Sequence, residues 1–337
     1  MDHTPGGGVR NAHDTYYSGL FATVDEVDMD WDVPGAATGV ENWRRVPYSG
    51  VVDQALITAD NAATIALGTW ISGDTGSSIG ILGTGAEARD DTRADQRIDA
   101  MQHLFDNVAL QVIPDESGGI AISSVQSFDE AIYGTCGGNA RLIGSGDDQT
   151  GEIEGTITFN NYCDAGITLN GIADIFMHID LGSEDIYHYL ITFTDLTARQ
   201  EGYSSTIDGR IGADYTVYPY LTLLSYVVND NLAGKSYWLK DLISEITEGF
   251  NYIEIAAVTG RYYDPDYGYV EYSIEQPIRI YDDDAWPTSG IMLFWGSADT
   301  KIRFTFLNEA EYLVEADTDG DGAYDDYSSG PQLWSEL

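Results

Sequence analysis

Over most of this chain the apolar positions recur with a period of two. In the stretch GEIEGTITFNNY, Ile153, Ile157 and Phe159 alternate with Glu154, Thr156 and Thr158. The same reading from residue 126 onward predicts further strands near 167–180, 186–196, 203–211, 214–228, 236–247, 250–263, 268–281, 290–297, 300–307 and 310–316. Turn-forming clusters such as LGSED, TEGFN, DPDYG, DDDAWPTSG and SADT separate them. About twelve strands in even succession, with no helical pattern between them, predict a mainly β fold. The expected form is an antiparallel meander, as a sandwich or one large twisted sheet. No strict repeat is present, which disfavours a propeller or solenoid.

Helical periodicity is confined to residues 47–125. TADNAATIALGTWI has a candidate N-cap at Thr58 and sets Ala62, Ile65, Ala66 and Trp70 on one side. TRADQRIDAMQHLFDNVALQVIP opens with Thr92 and Asp95 in a capping-box arrangement, runs through Ile98, Met101, Phe105, Val108 and Val112, and stops at Pro114. Between the two, SGDTGSSIGILGTGAEARDD reads as a surface loop. Residues 1–46 read as an arm: a glycine-rich leader, then a strand in which Val27, Met29, Trp31 and Val33 alternate with Asp28, Asp30 and Asp32. Pro34-Gly35 ends it. The expected organisation is therefore an N-terminal arm (1–46), a helix-containing segment packed on the sheet (47–125) and an antiparallel β domain (126–337).

Charge changes this picture more than size does. The 337 residues carry a formal charge of −41, yet 43% are hydrophobic and 12% aromatic, a balance of a folded rather than a disordered chain. With 38 Asp and 18 Glu against 12 Arg and three Lys, the surface repels nucleic acid and anionic lipid, so neither is an expected partner. It also calls for salt or divalent cations around it, as in brine, seawater or a calcium-rich cell exterior; a halophilic cytosol is the alternative. No run approaches the roughly 18 apolar residues of a spanning helix, so membrane insertion is not expected. No signal peptide precedes Asp2, and Met1 reads as an expression start on a mature exported chain. The two cysteines, Cys136 in GTCGGN and Cys163 in NNYCDAG, lack metal or haem spacing and are expected to form a disulfide.

The densest chemistry lies in EADTDGDGAYDDYSSG. Asp317, Asp319, Asp321, Gly322 and Asp325 match D-x-D-x-D-G-x-x-D, in which alternate side chains converge on one hard cation and the glycine permits the sharp turn. The Ala323 carbonyl would add an oxygen. Position twelve is Ser328 rather than a bidentate Glu, which predicts a weak, extracellular-type calcium site with a structural role. In a meander, the DPDYG turn would share that sheet end, bringing Asp264 or Asp266 close, while Asp282, Asp283 and Asp284 would lie at the other. A hairpin centred near Ser183 would set His178 opposite His188, with Asp174 or Asp180 beside them as transition-metal ligands. Tyr218, Tyr220, Tyr262 and Tyr269 are candidates for a glycan-binding or subunit-contact face. The motifs G-x-S-x-G, H-E-x-x-H, the phosphate-cradling loop and the dinucleotide fingerprint are all absent from the sequence, so no enzyme activity is expected.

ITADNAATIAL, YCDAGITLNG, VTGRYYDPDYGYVEYSI, WPTSGIMLFWG and DTDGDGAYDDYSSGPQLW resemble a group of exported or lipoprotein-like β-rich proteins of Gram-negative bacteria. The resemblance spans residues 48–337 as scattered short motifs. It implies export and a β-rich fold and carries over no catalytic residue. The function expected is a non-enzymatic structural protein of the cell surface or extracellular matrix, self-assembling with other copies into a fibre through Val27, Met29, Trp31 and Val33. The alternative is a calcium-stabilised carbohydrate- or ligand-binding surface module.

Overall fold

The computed structural model describes residues 48–80 and 125–336, apart from positions 148, 165, 182–185, 201–202 and 283. The strand expected at 27–33 and the helix expected at 92–114 lie outside these residues. One α-helix, one sheet and a short 3-10 helix at Trp334–Glu336 make up the regular structure that is described. The helix α1 is Ala62–Gly80; the strands are β1 Val125–Tyr133, β2 Gly137–Asp147, β3 Glu152–Asp164, β4 Ile167–Ile179, β5 Ile186–Gln200, β6 Tyr203–Asp214, β7 Tyr220–Asp230, β8 Lys235–Gly249, β9 Tyr252–Asp264, β10 Gly268–Tyr281, β11 Ser289–Trp295, β12 Lys301–Asn308, β13 Glu311–Asp317, β14 Tyr327–Ser328 and β15 Gln332–Leu333.

Every strand from β1 to β14 lies beside its sequence neighbours, giving an uncrossed antiparallel meander of 15 strands, with β15 also on β13. This is the single twisted sheet, not the sandwich, and it does not close: β1 and β14 stand at opposite ends of the order. Residues 215–219, expected to be strand, instead form the β6–β7 turn. Pro219 lacks the N–H a ladder needs, and its peptide bond to Tyr218 is cis.

The long strands curl through bulges of one repeated chemistry. Asn161 in β3, Asp195 in β5 and Asp241 in β8 have φ of 49°, 50° and 52° at points where the pairing register skips. Asn and Asp tolerate this left-handed region better than other side-chain-bearing residues. Each bulge frees an N–H, and each is received by a neighbouring strand's side chain. Asn161 N–H donates to Asn170 Oδ1 (2.9 Å), Asp195 N–H to Asp208 Oδ1 (2.9 Å), and Asp241 N–H to Ser225 Oγ (3.3 Å). Asp208 is 1% exposed, and its loss removes the charged acceptor of the Asp195 N–H. Asp208→Ala is therefore expected to cost about 1–3 kcal/mol in urea unfolding, and Asp208→Asn, which keeps an acceptor oxygen, clearly less. Equal losses in both would show that the bond does not matter.

Bulges raise local twist, and the sheet bends around α1. The helix touches β6 to β9 on one side and β12 and β13 on the other. In a flat sheet β6 and β13 would lie about 33 Å apart, at roughly 4.7–4.9 Å per strand. Ala62, Ile65, Ala66 and Trp70 form its buried stripe, as the sequence periodicity predicts, and Trp70 meets Phe306 edge-on at 4.7 Å between ring centroids.

Helical structure continues to Gly80, where a loop was expected from residue 72. Small residues suit this close contact: a Cβ on Gly68 would lie 2.5 Å from the Tyr262 hydroxyl. The Ser72 carbonyl accepts the Tyr226 hydroxyl, tying this turn to β7. At the helix start the Thr58 carbonyl accepts the Ala62 N–H at 3.1 Å, but regular helix begins only at Ala62. Ahead of it, Ala55 N–H donates to the Tyr269 carbonyl and Ser297 N–H to the Ala55 carbonyl, at 2.8 and 2.7 Å. These bonds moor the segment to two hairpins at one end of the sheet.

Candidate metal centre

At that same sheet end β13 runs into the aspartate loop. Asp317 is the last residue of the strand and is fully buried, with its carboxylate turned into the loop. It accepts the Gly320 N–H on Oδ1 at 2.7 Å and the Gly322 N–H on Oδ2 at 2.8 Å. Both glycines have positive φ, 79° and 93°, and a Cβ on Gly320 would lie 2.6 Å from the Ala298 carbonyl. The loop therefore rests on the SADT turn between β11 and β12.

Two exposed carboxylates complete the group. Asp319 Oδ1 accepts the Asp321 N–H at 3.1 Å and Asp321 Oδ1 accepts the Ala323 N–H at 2.8 Å. These bonds turn successive side chains to the same side, and ligand oxygens of Asp317, Asp319 and Asp321 lie within 4.8 Å of one another. Among the described residues this is the one group of three or more His, Cys, Asp or Glu side chains so arranged. Three carboxylates on a short glycine-bearing loop are a donor set for a hard divalent cation.

Asp325 is exposed and is not a member of that group. Asp326, which the sequence reading passed over, closes the loop instead. Its Oδ2 accepts the Thr318 N–H (2.7 Å), the Thr318 hydroxyl (3.0 Å) and the Asp319 N–H (3.1 Å). The Thr318 bonds chiefly hold its carboxyl below the ordinary carboxylate range. A depressed folded pKa favours folding above the unfolded value, and that contribution is lost as pH falls through the folded one. Thermal stability should fall on acidification, and Asp326→Asn should flatten the fall; an unchanged acid profile would contradict this role.

The DPDYG turn does share the sheet end, but its acids are engaged elsewhere. Asp264 Oδ1 accepts the Asp266 N–H at 2.8 Å and the Tyr267 N–H at 3.3 Å, while Asp266 pairs with Lys235. The YDDDAW turn lies at the opposite end, as expected. Of the tyrosines, Tyr262 is 1% exposed and faces the core, whereas Tyr218 is 66% exposed beside the cis bond, edge-on to Tyr220 at 5.6 Å. Tyr269 lies on the other face of β10, with the Arg261 guanidinium 4.9 Å from its ring.

Cys136 and Cys163 are joined, with their Cα atoms 5.1 Å apart. The bridge ties the turn before β2 to the end of β3, and Cys136 N–H donates to the Cys163 carbonyl at 3.0 Å. A disulfide of this kind indicates a non-reducing environment. No helix among the described residues is long and apolar enough to cross a membrane.

Comparison with protein-family models, with curated proteins and with solved structures finds no match.

Proposed function

We propose that the protein is an exported, non-catalytic β scaffold of the cell surface or extracellular matrix, stapled by its disulfide and by calcium in the aspartate loop. Its expected partners are other copies of itself. The observation that carries this reading is the edge of the sheet: β1 is nine residues long and, among the described residues, pairs only with β2. An exposed edge presents a row of backbone donors and acceptors to an added strand. The alternating segment at 27–33 has the length and pattern of such a strand, and a head-to-tail contact that does not close on itself grows a fibre.

Charge sets the condition for assembly. The polar face of the added strand is Asp28, Asp30 and Asp32, and β1 carries Asp129 and Glu130, so the contact requires calcium or salt to screen it. Sedimentation velocity across a concentration series tests the proposal. The full chain should associate in calcium, and Met29→Asp with Trp31→Asp should remain monomeric. A monomer at all concentrations would reject it.

A second reading is favoured by Tyr218, whose exposed ring stands beside Tyr220 at the cis-proline turn. Such a pair offers an apolar face for a sugar ring, and glycan-array binding by a monomeric protein would move this reading ahead.

A further inference from the structure

His178 and His188 face each other directly across β4 and β5, with ring centroids 5.2 Å apart and planes at 79°. The flanking Met177, Ile179 and Tyr189 belong to the core, so both imidazoles stand on the opposite face of the sheet. Pairing extends the row in both directions: Glu152 of β3 is opposite His178, and Asp214 of β6 is opposite His188. Four chemistry-bearing side chains thus lie side by side on four adjacent strands. The two acids named from the sequence are not in this row. Asp174 accepts the Thr156 hydroxyl at 2.7 Å, and Asp180 accepts the Tyr187 hydroxyl.

We propose that His178 and His188 are two ligands of a transition-metal site of the zinc class, with Glu152 supplying the third. Two imidazoles bonded at about 2.0–2.1 Å to one tetrahedral ion hold their ring centroids about 5 Å apart, the separation this pair already has. His178 Nε2 lies 2.7 Å from the Thr150 carbonyl oxygen. A carbonyl only accepts, so Nε2 carries the proton and the Nδ1 lone pair is left for a ligand. This is the usual outer bond of a metal-bound histidine, and it fixes the ring.

His188 is oriented from the other side by Phe176, stacked on it at 5.5 Å. His188 is half-buried between that ring and His178. Glu152 is exposed and lies directly opposite His178 in the β3–β4 register. Asp214 Oδ1 instead accepts the N–H and hydroxyl of Thr216, at 2.8 and 2.6 Å, and supplies charge beside His188.

The test is zinc titration of the chelator-stripped full chain by calorimetry, in millimolar calcium so that the aspartate loop is occupied. One zinc should bind per chain. His178→Gln and His188→Gln should each weaken binding by at least about tenfold, and Glu152→Gln by about tenfold. Copper(II) at the same site should show coupling to two imidazole nitrogens by electron paramagnetic resonance. Far-UV circular dichroism checks that each variant folds; neither histidine belongs to the core cluster that holds Met177, Ile179 and Tyr189. His3, His13 and His103 remain in every variant. Undiminished binding in the His178→Gln, His188→Gln double variant, or no zinc uptake by the parent chain, would overturn the assignment.

Discussion

Asp317→Ala should lower the unfolding free energy by about 3 kcal/mol even without calcium. The fully buried carboxylate accepts two backbone N–H groups, from Gly320 and Gly322, and alanine leaves both without that acceptor. Each hydrogen bond to a charged acceptor contributes about 1.5–3 kcal/mol. Asp319→Asn separates this structural role from the metal's. Asp319 is exposed, and removing its charge relieves repulsion among three neighbouring carboxylates, so the calcium-free protein should hold or slightly gain stability. Both variants should lose the rise in melting temperature that millimolar calcium gives the parent. A parent without a calcium-induced shift would leave the loop as a hydrogen-bonded turn and remove calcium from the account.

Cys136→Ser with Cys163→Ser should cost a comparable amount, about 3–4 kcal/mol. In the chain-entropy model the bridge restrains the unfolded chain across cysteines 27 positions apart. The loss should appear as a lower urea midpoint with a changed slope, since the denatured state becomes less compact. Reducing agent added to the parent should reproduce it. A midpoint unchanged by both treatments would show that β2 and β3 hold their register without the covalent link. The bulge at Asn161, two residues before Cys163, makes that register the one most in need of support.

The β architecture was legible because alternation survives in nearly every strand, and the turns carry glycine, proline and aspartate. The sheet's curl was also written in the chain, in a form that a period-two reading discards. Phe159-Asn160-Asn161-Tyr162, Phe193-Thr194-Asp195-Leu196 and Leu239-Lys240-Asp241-Leu242 each place core residues three apart around an Asn or Asp. A regular strand would point those two apolar residues to opposite faces. Both reach the core because the left-handed Asx residue inserts an extra position. Apolar-x-Asx-apolar inside a strand is therefore a bulge signal, and a side-chain acceptor on the next strand completes it.

The helix end was missed for a different reason. Gly73 and the serines near it argue for a loop in isolation, but the helix lies along the inner face of the sheet, and tertiary contact overrides weak propensity. The aspartate spacing indicated the cation-binding group but not its closing residue. Asp325 follows the calcium-loop pattern, yet Asp326 caps Thr318 and Asp319, a choice made by how the chain leaves β13. The histidine pair was readable from the turn-forming LGSED cluster in the sequence, because a hairpin there fixes which residues oppose. Its acidic neighbours come from β3 and β6, whose register depends on bulges the alternation did not show.

Assembly at the β1 edge is tested most directly by negative-stain electron microscopy of the full chain, in calcium and in chelator, beside the Met29→Asp, Trp31→Asp variant. The expected result is ordered fibres from the parent in calcium, their loss in chelator at low salt, and dispersed particles from the variant. Single particles of the parent under every condition would contradict it, leaving the exposed tyrosine turn as the surface to pursue.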